Sequence, residues 1–364
     1  MYDNGNDTEN DTENVAGNIS MMTKAMKSNN KSPLTIQDVA KVAGVSVSTV
    51  SRVLNDKDDV APDTYNKVQQ VINQLGYASS LAARSMRSRK TNVIGLIMPD
   101  VDNPFSIQVM KGVNQAIAQF GYDLIIYTGG DSTASLWATR EQQYISLLNG
   151  SITDGIITVA PTASALPNTY PIVGVDYHPG DTDLPAIIAT NREGALSVMD
   201  YLIQLGHRRI GYIGGRKDLQ SAYRRHQGYM DGLHQADIPI DPDLILDGNF
   251  TMDAGYRCGQ KLLAMTNRPT AIFAANDETA FGVIKAVHEM GLNIPDDLSL
   301  VGFDNSPESA YYLPVGLTTV DQSVYQMGVA ATEMLVKLIK GERVQQTICK
   351  VPTKLVVRGS CRAI

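Results

Sequence analysis

Residues Thr35–Asn55 read TIQDVAKVAGVSVSTVSRVLN. Ile36, Val39, Ala40 and Ala43 recur at helical spacing, so one face of a first helix is apolar. Gly44 supplies a tight turn. Ser46 is placed to cap a second helix, its hydroxyl accepting a backbone N–H that the helix leaves orphaned. In that second helix Val50, Val53 and Leu54 share an inner face. Ser48 and Arg52 lie near the opposite face, with Val47 and Ser51 on the flanks. A small apolar inner face and a Ser/Thr/Arg outer face make a helix-turn-helix, a shape that fits the major groove of DNA. The outer face is the part that can touch base edges and phosphates. Two ordinary core helices are the plainer reading, which the glycine turn alone does not exclude.

The rest of the chain bears on that choice. A length of 364 residues predicts two or three domains. With 43% hydrophobic and 19% charged residues the composition is that of a globular protein. No apolar run reaches the length of a membrane span, and no basic segment followed by an apolar one marks a secretory signal. Cys258, Cys349 and Cys361 are odd in number and far apart, which fits reduced thiols in a cytoplasmic protein. The net charge of −7 argues against a nucleic-acid binder until its distribution is read. Residues 31–90 carry +4, residues 1–30 carry −3 and the remainder −8. A basic head on an acidic body directs one end at phosphates.

Residues 1–30 are rich in Asn, Asp and Thr, repeat NDTE at Asn6–Glu9 and Asn10–Glu13, and lack apolar periodicity. They read as a disordered acidic tail or a mis-assigned start. The second is favoured, because Met21, Met22 and Met26 offer internal starts. A third helix is expected from about Pro62, with Val68, Val71, Ile72 and Leu75 as its stripe and Gly76 at its end. Leu81–Lys90, LAARSMRSRK, has good helix formers, four basic residues and hardly any core-facing stripe. Such a segment is a poor helix alone and a helix when docked; a basic, solvated linker is the alternative.

From Asn92 the texture changes to short apolar strands, VIGLIM at Val93–Met98, LIIY at Leu124–Tyr127, GIITV at Gly155–Val159 and IVGV at Ile172–Val175, separated by helical stretches. The alternation implies a doubly wound parallel sheet. It restarts after Asn191, with strands at Ile210–Ile213, Ala271–Ala274 and Leu298–Gly302 and a final strand near Lys350–Val357. Two α/β units in series imply two lobes around a cleft, where the carboxyl ends of the strands converge. Just after strands stand Phe105, Asp176, Phe250, Asn276, Asp277 and Asp304, and Arg225 lies in SAYRRHQGY. Carboxylates, amides, a guanidinium and aromatic faces suit a neutral polar ligand. Asp277 has about even claims to capping the following helix and to meeting a ligand. No phosphate-binding loop, nucleophile elbow or metal-spaced histidine pair is present, so no catalytic residue, cofactor or metal is expected.

The run D-V-A-x-x-A-G-V-S-x-x-T-V-S-R-V-L-N over Asp38–Asn55 resembles the headpiece signature of the lactose-repressor/galactose-repressor family of bacterial transcription regulators, and the resemblance extends over roughly residues 34–358. It implies an N-terminal all-α helix-turn-helix headpiece at 31–79, a hinge helix at 80–90 and a two-lobed effector-binding and dimerisation domain at 91–364. That domain would have the α/β fold of periplasmic sugar-binding proteins, with two doubly wound parallel sheets. The chain would cross between lobes near Ala189–Asn191, Val315–Val320 and Gln345–Cys349. By the same resemblance Val47, Ser48 and Arg52 read bases, and Thr35, Thr49, Ser51 and Asn55 hold phosphates. Met86, with Ala83 and Arg84 beside it, takes the place of a leucine that wedges into the minor groove. Ala61 and Tyr65 stand where Ser and Arg are usual. Phe105, Asp176, Asn191, Arg225, Phe250, Asn276 and Asp304 match effector-pocket positions, and His207, in LGHRRIGYIGG, falls in a structural motif. The implied function is that of a homodimeric repressor of a pseudo-palindromic operator that senses a small molecule, a sugar first, with release on binding the common mode. The alternatives are a purine-like corepressor, a protein partner, or a sugar-binding protein without DNA. That last would need a signal peptide and lack the headpiece. No leucine heptad follows the last strand, so a tetramerising coil is not expected.

Overall fold

The computed structural model describes residues 34–54, 57, 59–77, 90–129, 134–149, 152–162, 170–177 and 184–364. The acidic segment 1–30, most of the expected hinge helix, and with them Asn55, Ala83 and Met86, lie outside these residues. The chain forms two compact units, Met1–Arg89 and Lys90–Ile364.

The first unit holds helices α1 (Ile36–Ala43), α2 (Val47–Leu54) and α3 (Pro62–Leu75). Thr35 and Asp38 close a reciprocal capping box at the start of α1, Asp38 Oδ2 accepting from Thr35 N at 2.8 Å. Gly44 ends α1 in the left-handed region at φ 66°, where only glycine is unstrained. Ser46 then caps α2, accepting from Thr49 N at 3.1 Å. Pro62 opens α3, but Ala61 before it offers no side-chain cap. Val39, Ala43, Val50, Val68 and Val71 are fully buried where the three helices meet.

The second unit comprises two lobes. In the first, strands β1 (Val93–Met98), β2 (Asp123–Thr128), β3 (Gly155–Val159), β4 (Ile172–Val175) and β5 (Ala186–Ala189) join β11 (Ile348–Val351) in one sheet, in the order β11-β5-β4-β3-β1-β2. Every pairing is parallel. The continuous apolar runs of β1, β3 and β4 follow from burial on both faces. Helices α4 (Pro104–Phe120) and α10 (Val324–Ile339) cover one face, and α5 (Ala134–Leu148), with Trp137, packs on the other. In the second lobe β6 (Ile210–Gly214), β7 (Ile245–Asp247), β8 (Ala271–Ala274) and β9 (Ser299–Val301) form a parallel sheet in the order β7-β6-β8-β9. Helices α6 (Asn191–Gln204) and α7 (Gln220–Gln235) take one face and α8 (Met252–Leu263) and α9 (Asp277–Glu289) the other. Beside β9 lies an antiparallel pair, β10 (Thr319–Asp321) with β12 (Lys354–Val356).

Two expectations are corrected. The single strand at Lys350–Val357 is two strands in different lobes, β11 and β12, split at Pro352-Thr353 because proline cannot donate to a ladder. Two of the crossings therefore move. The first falls at Ala189–Asn191 as expected. The second falls at Gln322-Ser323, since Thr319–Asp321 still pairs in the second lobe while α10 packs in the first. Ser323, at φ 53°, makes that turn. The third falls at Pro352-Thr353. There Thr353 is stitched to the first crossing, its N donating to Thr190 Oγ1 at 2.9 Å and its hydroxyl to Thr190 O at 3.1 Å. Among the described residues no helix is long and apolar enough to cross a membrane.

Candidate DNA-binding face and effector cleft

The outer face of α2 follows from its packing. With Val50 and Val53 buried, Ser48 and Arg52 are exposed, Val47 is 42% exposed, and Thr49 and Ser51 lie at the margin. Ser46 links to Ser48 and Thr49 through hydroxyl contacts of 2.7 and 2.8 Å, which fixes the first turn of the helix. Arg52 Nε lies 3.5 Å from Asp59, with both side chains more than half exposed. Such a surface pair contributes little, so the guanidinium is readily given up to a stronger acceptor. Thr35 is occupied with the capping box, which holds the Asp38 carboxyl below its ordinary range through the Thr35 N–H.

In the second unit the carboxyl ends of both sheets converge on a cleft of about 440 Å³. Phe105 and Asp176 reach it from the first lobe, and Arg225, Phe250, Asn276 and Asp304 from the second. Five of the nine non-glycine residues at positive φ among the described residues line it: Ala160, Asp176, Asn249, Phe250 and Asp304. Strained backbone concentrates where a site over-determines it.

Arg225, on α7, is only 3% exposed and is held on several sides. Its Nε donates to Asn191 Oδ1 at 2.9 Å, and its Nη1 to Ala275 O at 2.5 Å and to Asp304 Oδ1 at 3.2 Å. The guanidinium carbon lies 3.9 Å from the Phe303 ring centroid and 5.5 Å from that of Phe250. Asp304 Oδ1 also accepts from Gln322 Nε2 at 2.5 Å. Burial pushes the Asp304 carboxyl above the usual range, against the opposing pull of Arg225 and Gln322. Asn191, 2% exposed, stands behind Arg225 rather than on the cleft wall, because its side chain is spent on Arg225 and on Ala189 O. Asn276 lines the cleft but also caps α9, accepting from Thr279 N at 3.0 Å and donating to Phe250 O at 3.1 Å.

Asp277 neither caps α9 nor reaches the cleft, against both expectations. It is 1% exposed and accepts from Ser306 N at 2.7 Å and Thr319 Oγ1 at 2.6 Å. Burial, with Asp304 nearby, pushes its carboxyl up to about 8. His207 is fully buried between Thr270 and Ser299 and belongs to the lobe's framework.

Several cleft residues escape a reading of the sequence. Arg216 and Asp218 form a bidentate pair at its edge, at 3.1 and 2.5 Å. Ser106 and Ser221 line it from the first turns of α4 and α7. Gly215 is needed for Phe250, whose Cζ would lie 2.1 Å from any Cβ added there. The Gly214-Gly215 pair at the end of β6 was the available signal, since a ring lies flat on a backbone only where no Cβ intervenes. Both guanidiniums of the cleft are already paired with carboxylates, and Asp100 and Asp176 add further acidic groups, which disfavours an anionic ligand. Among the described residues no cluster of three His, Cys, Asp or Glu could hold a metal ion.

Comparison with known proteins finds matches to both parts of the chain. Residues 35–80 match the family model of bacterial regulatory proteins, lacI family, and residues 199–361 match a periplasmic binding protein-like domain. The HTH-type transcriptional repressor PurR of Pasteurella multocida is 32% identical over 336 residues, covering 90% of this chain and 99% of that protein. A crystal structure of the lac repressor dimer bound to operator and the anti-inducer ONPF aligns with a TM-score of 0.80 at 26% identity, covering 91% of this chain and 100% of the other. A complex of the transcriptional regulator CelR with cellobiose aligns with a TM-score of 0.66 at 27% identity, covering 90% and 99%. A three-helix unit with an exposed α2 face, joined to a two-lobed cleft in a chain matched over nine-tenths of its length, places this protein in the lacI family of bacterial regulatory proteins.

Proposed function

We propose that this protein is a ligand-responsive, sequence-specific transcriptional regulator, acting as a repressor, that binds a pseudo-palindromic operator as a homodimer and takes a neutral sugar in its cleft. It works in the cytoplasm as a binding protein and not as an enzyme. Val47, Ser48 and Arg52 read base edges, while Thr35, Thr49, Ser51 and Asn55 set register on phosphates. Ala83 and Met86 act at the minor groove. Phe105, Asp176, Arg225, Phe250, Asn276 and Asp304 hold the ligand, with Asn191 steadying Arg225.

One observation carries the reading. The Arg225–Asp304 pair faces the cleft and is bonded to Asn191 at the first crossing and Gln322 at the second. A ligand that engages this pair acts on the segments that set the angle between the lobes. Hydroxyl groups suit it, because Asp304 and Asn276 accept and donate without requiring charge on the ligand. The structural relative described with cellobiose supports a sugar.

The test is filter binding of genomic fragments, repeated with a panel of neutral and phosphorylated sugars. A discrete set of retained fragments is expected, with retention changed by one or a few neutral sugars and not by their phosphates. Retention that no sugar alters removes the effector assignment, and retention without sequence preference removes the operator assignment.

A further inference from the structure

The second lobe holds another cavity, of about 270 Å³, between β6, β7 and the first turns of α7. Tyr212, Tyr223 and His226 supply its aromatic walls. The Tyr212 and His226 rings lie 5.6 Å apart at 47°, and Tyr212 stacks on Tyr229 at 4.8 Å. A dry cavity of roughly 150 Å³ is enough to take benzene, so this one has room for a bicyclic ring.

Some of its polar side chains are unspent, while the Tyr223 hydroxyl accepts from Gln227 Nε2 at 3.0 Å. Among the described residues His226 makes no hydrogen bond, and burial holds its imidazole below the usual range, so the neutral ring keeps one donor and one acceptor. The Tyr212 hydroxyl is buried without a partner. Tyr223 leaves 52% of its surface exposed beside the opening. Lys217 and Asp247 pair across the mouth at 2.8 Å with side chains 79% and 70% exposed, a contact weak enough to swing aside.

The cavity also shares structure with the cleft. Gly215 borders it and carries the Phe250 ring of the cleft, and His226 follows Arg225 on α7. We propose that this cavity is a second ligand site, for a small planar aromatic molecule bearing a hydrogen-bonding group, coupled to the cleft through Gly215 and α7. The occupant lies against Tyr223 and bonds His226, and its pressure on Gly215 is felt by Phe250.

Calorimetric titration of the full chain with indole tests this independently of DNA binding. One saturable site per chain is expected. Tyr223→Ala should weaken it about five- to tenfold by removing an aromatic wall, and His226→Leu should weaken it comparably by removing the hydrogen-bonding ring. Tyr223 is exposed enough that its variant folds, which an unchanged thermal midpoint verifies. Absence of saturable binding up to the solubility of indole overturns the proposal. So does binding that survives both substitutions, since indole would then be lodged elsewhere, the cleft included.

Discussion

Arg52 and Asp277 show how differently two charged side chains are used. Arg52 is solvent-exposed and only loosely tied to Asp59, so its guanidinium is available to a guanine edge, where a bidentate pair discriminates by about 1–3 kcal/mol. Arg52→Ala should therefore lower operator affinity by about five- to 150-fold while random DNA loses much less. Fluorescence anisotropy on both DNAs measures this, and equal losses would assign Arg52 to the phosphates instead. Asp277 is the opposite case. Its carboxyl rises from an ordinary 3.8 to about 8 because burial disfavours the charge. Between those values the native protein holds a proton that the unfolded chain has released. Stability must then fall as pH rises through the window, by up to about 1.4 kcal/mol per pH unit. Asp277→Asn should flatten that slope in urea unfolding measured across the window, and a slope left intact would place its origin elsewhere. The outward face of Arg52 was legible in the spacing of its helix, but the burial of Asp277 was not, because Asp277 stands at a helix start like any capping aspartate.

Helices pair in this body by letting backbones touch. Gly112 of α4 faces Tyr325 O of α10, and Gly328 of α10 faces Val109 O of α4, each so near that an added Cβ would lie at 2.1 and 2.3 Å. Gly255 and Gly282 do the same for α8 and α9, and Gly228 for α7 against Arg192 O of α6. Gly282→Ala would put a Cβ 2.0 Å from Met252 O, and since backbone cannot step aside cheaply the pair must separate, at a cost of about 1–3 kcal/mol. Gly259→Ala meets Ala286 at 3.2 Å, and its gain in helix propensity of about 1 kcal/mol roughly offsets the squeeze. Urea midpoints of the two variants should separate clearly, and similar midpoints would mean that the α8–α9 contact is softer than its geometry. The buried strands β1, β3, β4 and β8 could be read from the chain because continuous apolar runs are what a sheet covered on both faces requires. The placement of α10 could not. An apolar stripe says that a helix is covered but not by which sheet, and α10 leaves the lobe that precedes it. For the same reason β11 and β12 read as one strand.

The cleft's residues were partly visible as polar groups after strands, but the link that gives them a consequence joins positions far apart in the chain: Asn191, Arg225, Asp304 and Gln322. Spacing cannot reveal such a set, because only the fold brings it together. It binds the cleft-lining pair to two of the three segments that connect the lobes, and Thr353 ties the third segment to the first. Closure around a ligand and the geometry of the crossings therefore change together. In a dimeric regulator this sets the free energy by which ligand and operator affect one another, typically about 1–3 kcal/mol, and thermodynamics requires the effect to be reciprocal. Saturating operator should thus change the affinity of the cleft for its sugar by the factor by which the sugar changes operator affinity. Gln322→Ala removes the bond between Asp304 and the second crossing, so it should shrink both factors equally, whatever it does to sugar affinity itself. Calorimetry of sugar binding with and without operator, paired with anisotropy of operator binding with and without sugar, yields the two factors for each protein. A wild-type sugar affinity indifferent to operator would mean that the cleft is not coupled to DNA at all. Undiminished coupling in Gln322→Ala would mean that the lobes communicate by a route other than the Arg225–Asp304 pair.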